Sequence, residues 1–202
     1  LYFSNIPFMD SLSFTFLLFA SYTLALLFTL PQRRAAPSGA PRLIPLSFDL
    51  TAHTSWATLG LSAVFMAFID IVIDPVALRG DRWFFGSIYW YPDPGTYFGV
   101  PLANFIGWAV VGSLSLALYS PLDRKVSQPP APTPRPHDTA VRATITERLL
   151  LGCGLYCGIR VFTLTMTFWI GEALSGITGM FIYLPITALG LLRLFSWKTD
   201  IA

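Results

Sequence analysis

Charge is what this sequence has least of. Asp, Glu, Lys and Arg make up 12% of its 202 residues, about half the share usual in soluble domains. Hydrophobic residues reach 54% and the mean hydropathy is +0.60. An ordinary soluble domain is excluded, and an integral membrane protein is indicated. Histidine and cysteine are also scarce, at two each. His53 opens an apolar run, where a helix-start role at the membrane interface is expected, and His137 lies in a proline-rich segment, so a histidine metal site is not expected. Cys153 and Cys157 are spaced i, i+4 without further ligands nearby. Interleaved with Gly152, Gly154 and Gly158, they read as small residues packed against another helix, and Gly154 and Gly158 have the GxxxG spacing. Neither a metal nor a redox cofactor is called for. A net charge of +2 without an aromatic-interleaved basic patch leaves no case for nucleic acid.

Long apolar runs are plentiful. Crossing roughly 30 Å of hydrocarbon takes about 20 residues in a helix, and five segments qualify: 12–30, 55–78, 98–119, 148–170 and 176–195. The expected fold is therefore all-α, a polytopic bundle of about five transmembrane helices. Ten of the 13 basic residues, from Arg33 to Lys198, fall on one side of this arrangement, whereas Arg79 and Arg82 fall on the other and Arg160 lies within a span. The positive-inside rule then places the first residue outside the cytoplasm and the last within it. The first apolar run is long enough to read as a retained span, and LYFSN at the start has the look of a tag remnant. An odd number of spans starting outside also suggests further helices ahead of the first.

The segment 120–147 is rich in proline and charge and has no apolar periodicity, as expected of a flexible cytoplasmic linker. It divides a three-span part, 6–119, from a C-terminal transmembrane hairpin, 148–202. In the loop before the second span, LIPLSFDL is apolar enough to lie along the membrane surface. Between the second and third spans, GDRWFFGSIYWYPDPGTYFG concentrates eight aromatic residues, Trp83, Tyr97 and Phe98 among them. Two readings stand side by side: an aromatic belt at headgroup depth, or a concave surface that grips a long apolar ligand.

Two acids interrupt the second span. In AFIDIVIDP, Asp70 and Asp74 share one helix face, roughly 5–6 Å apart. A charge at bilayer depth costs about 2.5–3.5 kcal/mol or more by insertion scales, so both should point into the bundle. Desolvation and a neighbouring carboxyl each favour the protonated form, which would make one of the pair a built-in acid. The third span offers Asn104, whose amide suits a carboxyl or a water, and Trp108 one turn on. By helical rise, Arg160 and Asp70 lie at similar depth. An Asp70–Arg160 ion pair is the simplest account of both, and it leaves Asp74, one turn nearer the extracytoplasmic side, as the candidate acid. Glu172 could approach Asp74, although a solvated carboxylate in its turn is the simpler role. Pro75 is expected to end or kink the helix.

The order D-x-x-x-D-P, then G-x-x-W, then Y-F-G-V-P-x-x-N-F-x-G-W, from Asp70 to Trp108, resembles the membrane-bound carotenoid biosynthesis protein family, which includes carotenoid 1,2-hydratases and the bisanhydrobacterioruberin hydratase. The resemblance implies acid-catalysed hydration of the terminal double bond of an acyclic carotenoid, without a cofactor. Asp74, Asp70 and Asn104 would be catalytic, and Trp83, Tyr97, Phe98 and Trp108 would hold the isoprenoid. The partners implied are a carotenoid or another long isoprenoid and the lipid bilayer, with a homo-oligomer or membrane complex as a further option. A multi-pass protein of the cell membrane with an extracytoplasmic-side site is expected. The competing readings are a pigment-binding or assembly subunit without enzymatic activity, and a metal-dependent prenyltransferase. The latter requires two aspartate-rich clusters, and this chain has one pair.

Overall fold

The computed structural model describes residues 2–3, 6–30, 53–82, 86–87, 89–126 and 138–194. Trp83, His137, the 43–50 segment and the centre of the expected linker lie outside these residues. A two-residue antiparallel pairing of β1 (Tyr2–Phe3) with β2 (Ile6–Pro7) leads into five helices: α1 (Phe8–Thr29), α2 (Trp56–Ala77), α3 (Leu102–Val126), α4 (Asp138–Trp169) and α5 (Ala173–Leu194). The all-α expectation is met. α2 to α5 are each long and apolar enough to cross a membrane, and Ser13–Thr29 of α1 forms a shorter apolar helix. The chain is a multi-pass membrane protein.

α2 stands at the centre, in contact with α1, α3, α4 and α5. Its start is set by Ser55, an N-cap whose side chain accepts from the Thr58 amide at 3.1 Å. Thr58 in turn meets Thr29 of α1, oxygen to oxygen at 2.8 Å. These short polar links satisfy groups that hydrocarbon could not. The main core gathers Leu17, Leu24 and Leu27 of α1, Phe65, Met66 and Ile69 of α2, and Tyr156 of α4. Outward, α3 shows Leu102, Ile106, Val110, Leu114 and Leu118. That four-residue repeat is the stripe a helix presents to lipid when its other face packs on the bundle.

The boundaries differ from expectation where polar sequence continues a helix. α3 runs past Tyr119 through Pro121 to Val126, and α4 begins at Asp138. At 32 residues, α4 is about 48 Å long, more than a bilayer's hydrocarbon requires. α2 continues through Pro75 to Ala77 and closes with Leu78 N–H donating to the Asp74 carbonyl. Pro75 sits in the final turn, where it offers no N–H to the Ile71 carbonyl, and the helix ends two residues later.

The glycines of α4 divide unexpectedly. A Cβ on Gly152 would run into Thr23 of α1, so this glycine permits the close approach of the two helices, and the Cys153 thiol beside it reaches the Thr23 carbonyl at 3.6 Å. Gly154 and Gly158, the pair with GxxxG spacing, face open space. Helix α4 meets α1 through the face that carries Gly152 and Cys153.

Candidate functional site

The C-terminal end of α2, the N-terminal end of α3 and the α4–α5 turn lie at the same end of the bundle. Asp70 and Asp74 sit one turn apart on α2 and are only 2% and 5% exposed. α3 supplies their common partner: Asn104 Nδ2 donates to Asp70 Oδ2 and to Asp74 Oδ2, each at 2.6 Å. One amide nitrogen has two hydrogens, so this donor is fully used. Asp70 Oδ1 is buried without a hydrogen-bond partner. The expected grouping of Asp70, Asp74 and Asn104 is therefore what packing of α3 on α2 produces.

The segment between α2 and α3 folds over this pair. Beyond the 3-10 turn Gly80–Arg82, Tyr89 to Tyr91 lie outside any helix or strand. Tyr91 Oη points at Asp74 Oδ2, 3.5 Å away. The Tyr89 hydroxyl is buried within electrostatic reach of Asp74 and has no geometric hydrogen-bond partner. The two rings meet edge to face at 5.7 Å. Burial, and then the Asp74 carboxyl, push both phenols above the ordinary tyrosine range, so they keep their protons and remain donors. Neither tyrosine was singled out from sequence.

A tight turn then returns the chain to α3. Gly95 N–H donates to the Gly99 carbonyl at 3.0 Å and Val100 N–H to the Tyr97 carbonyl at 2.8 Å. Phe98 and Gly99 both have positive φ, 50° and 93°. A side chain at Gly95 would collide with the backbone of Val100 and Pro101, so glycine is required there. The turn sets Tyr97 edge-on to Phe98 at 4.8 Å and to Phe105 of α3 at 5.5 Å. Burial raises the Tyr97 phenol as well. Trp108 stacks on Phe14 of α1 at 5.4 Å and packs against the main core. Its ring thus takes part in helix packing.

Arg160 requires a correction. No Asp70–Arg160 ion pair forms. The guanidinium is 4% exposed and donates to the Tyr183 carbonyl and to Thr187 Oγ1 of α5. Its carbon lies 4.1 Å from the Tyr183 ring centroid and 5.4 Å from that of Tyr156, an arrangement that stabilises a desolvated cation. The Tyr183 hydroxyl donates to the Phe68 carbonyl at 3.0 Å, which places this residue between Arg160 and α2. The expected direction of Arg160 is not the observed one, because Tyr183 and Thr187 of α5 hold the guanidinium.

Glu172 is also placed differently from either expectation. Its Oε1 accepts from Arg82 Nη1 at 3.1 Å and is ion-paired with Arg79, whose Nε lies 3.1 Å away without a hydrogen bond, and Arg82 donates as well to the Ile170 carbonyl. The end of α2 is thereby clamped to the α4–α5 turn. Among the described residues these are the ion pairs, and no group of three or more His, Cys, Asp or Glu side chains is placed to hold a metal.

Comparison with known proteins gives one result. No curated relative and no solved structure matches the chain. A family model described as carotenoid biosynthesis protein matches residues 2–184, a range that includes α1 to α4, the carboxyl pair, Asn104 and the segment that covers them. With nine-tenths of its length matched by that model, the chain belongs to the carotenoid biosynthesis protein family.

Proposed function

We propose that this member of the family adds water across the terminal double bond of an acyclic carotenoid, using the carboxyl pair on α2. The observation that carries the reading is the arrangement of Asp70 and Asp74: two buried carboxyls on one amide donor, without a cation bonded to either among the described residues. Two such groups cannot both ionise without strong repulsion, and one shared proton resolves it. A protonated carboxyl beside an ionised one is a general acid next to a general base.

The chemistry balances with water alone. The acid delivers its proton to C2 of the terminal isoprene unit, and the double-bond electrons form the new C–H bond. The resulting tertiary cation at C1 is captured by the oxygen of water. The proton that this water loses passes to the ionised carboxyl, and the pair regains its starting charge. Aromatic faces around the segment from Tyr89 to Phe98 suit both the polyene chain and the passing cation. The site stands at the bundle end bearing Arg79 and Arg82, which the distribution of basic residues assigns to the extracytoplasmic side of the cell membrane.

The test is incubation of the purified chain with an acyclic carotenoid in water labelled with heavy oxygen. Incorporation of one labelled oxygen per product, lost in Asp70→Asn and in Asp74→Asn, is the expected result. General acid–base groups contribute about 100-fold or more, so either variant should fall by at least that factor. Pigment retained stoichiometrically without any label would instead identify a carotenoid-binding subunit.

A further inference from the structure

The two carboxyls are not equivalent. Asp74 Oδ2 receives Asn104 Nδ2 at 2.6 Å and faces the Tyr91 hydroxyl at 3.5 Å, with the buried Tyr89 hydroxyl also within its reach. Asp70 receives Asn104 alone, and its Oδ1 is buried without a partner. Donors that converge on a carboxyl favour its ionised form, whereas a buried carboxyl with few donors is better off carrying a proton. The reason for regarding Asp70 as ionised was Arg160, and Arg160 is held by α5.

We propose that Asp70 is the proton donor and Asp74 the carboxylate that, together with Tyr89 and Tyr91, holds and deprotonates the attacking water. This inference rests on the hydration reading and assigns its roles. Tyr89 has a buried hydroxyl beside an acceptor. A water that accepts from Tyr89 and donates to Asp74 satisfies both and presents its free lone pair to C1. Tyr91 donates to Asp74 directly and acts as a positioning residue. In the cycle, the Asp70 proton goes to C2, the water oxygen bonds to C1, and the water proton goes to Asp74. It then passes between the adjacent carboxyls back to Asp70.

Among the described residues, the titratable and charged groups near the pair are Tyr89 and Tyr91 from the covering segment, Tyr183 from α5, and Arg160 of α4 behind Tyr183. All three tyrosines are neutral donors, so the proton shared by the carboxyls dominates the electrostatics of the site.

Infrared difference spectra of the full-length chain in detergent locate that proton without relying on turnover. The carbonyl band of a protonated carboxyl, displaced on exchange into heavy water, is expected in the wild type and in Asp74→Asn and should be missing from Asp70→Asn. A band that survives in Asp70→Asn, or is lost from Asp74→Asn, overturns the assignment. The double variant Tyr89→Phe, Tyr91→Phe removes two hydroxyls and leaves the rings. Its kcat should fall about tenfold or more, with KM within about twofold. The acidic limb of its rate profile should move to higher pH, because a carboxylate deprived of donors is protonated more readily, while the basic limb set by the Asp70 proton stays. A lowered kcat with an unmoved profile overturns the proposal. If no oxygen label is incorporated by the wild type and the band still follows Asp70, the hydration reading fails and the proton placement stands; hydration with the band following Asp74 has the reverse meaning.

Discussion

The carboxyl pair on α2 and the Arg160 guanidinium on α4 are comparably buried, at 2%, 5% and 4% exposure, and both communicate with Tyr183, yet they are satisfied in opposite ways. Arg160 is held by a backbone carbonyl, a threonine hydroxyl and two tyrosine faces, although its Nε, like one acid oxygen, is buried without a hydrogen-bond partner. Its neighbours are neutral and need nothing from it, since Thr187 already donates to the Tyr183 carbonyl within α5 at 2.9 Å. The acids share a single amide and keep an unsatisfied oxygen. An ion pair between the two regions would neutralise both, and the fold does not make it. A carboxylate locked to a guanidinium is a poor proton donor; held apart from the cation, the acids stay reactive.

Breaking the acid side should have the largest effect. Asn104→Leu removes the common donor and leaves two buried carboxyls facing each other. Hydrogen bonds to charged groups are worth about 1.5–3 kcal/mol, so hydration should fall by about 10- to 100-fold in the labelled-oxygen assay. An unchanged rate would remove Asn104 from the site. Next comes the turn that positions the cover. In Gly95→Ala the added methyl must displace the backbone of Val100 and Pro101. Activity is expected to drop about tenfold while detergent melting shifts by only a few degrees, because strain of about 1–3 kcal/mol is confined to the loop.

The cation side should respond differently. Arg160→Met loses the ring contacts, worth up to about 2 kcal/mol when desolvated, and relieves a buried charge. The net change in stability should stay within about 2 kcal/mol, with hydration within a few-fold of wild type. In a double-mutant cycle with Asp70→Asn, the coupling should be below about 0.5 kcal/mol. A coupling well above that would show that the two charges sense each other directly. The smallest effect is expected at the clamp. Glu172→Gln breaks ion pairs that are partly exposed, so about 1 kcal/mol or less should be lost. That loss should shrink in high salt, since screening already weakens the intact pairs.

Much of this was legible from composition and spacing. Five helices followed from five apolar runs, because in hydrocarbon each backbone group must be satisfied within its own helix. That Asp70 and Asp74 share a face followed from the i, i+4 spacing, and Asn104 as their partner from an amide placed in the facing span. Tyr89 and Tyr91 were hidden among eight aromatics, where no periodicity distinguishes a hydroxyl aimed at an acid from a ring at the membrane surface. Glu172 gave no sign that it would join Arg79 and Arg82, because the helices that bring them together lie some 90 residues apart along the chain.

The sequence alone determined the all-α class, the stretches that form helices and the presence of charges within them, since these depend on hydropathy and on the length of each apolar run. Only the tertiary structure decided which way those charges face. Rotation of a helix about its axis is set by packing against its neighbours, and for Arg160 the neighbour that decided it was α5: Tyr183 and Thr187 reached the guanidinium before Asp70 did.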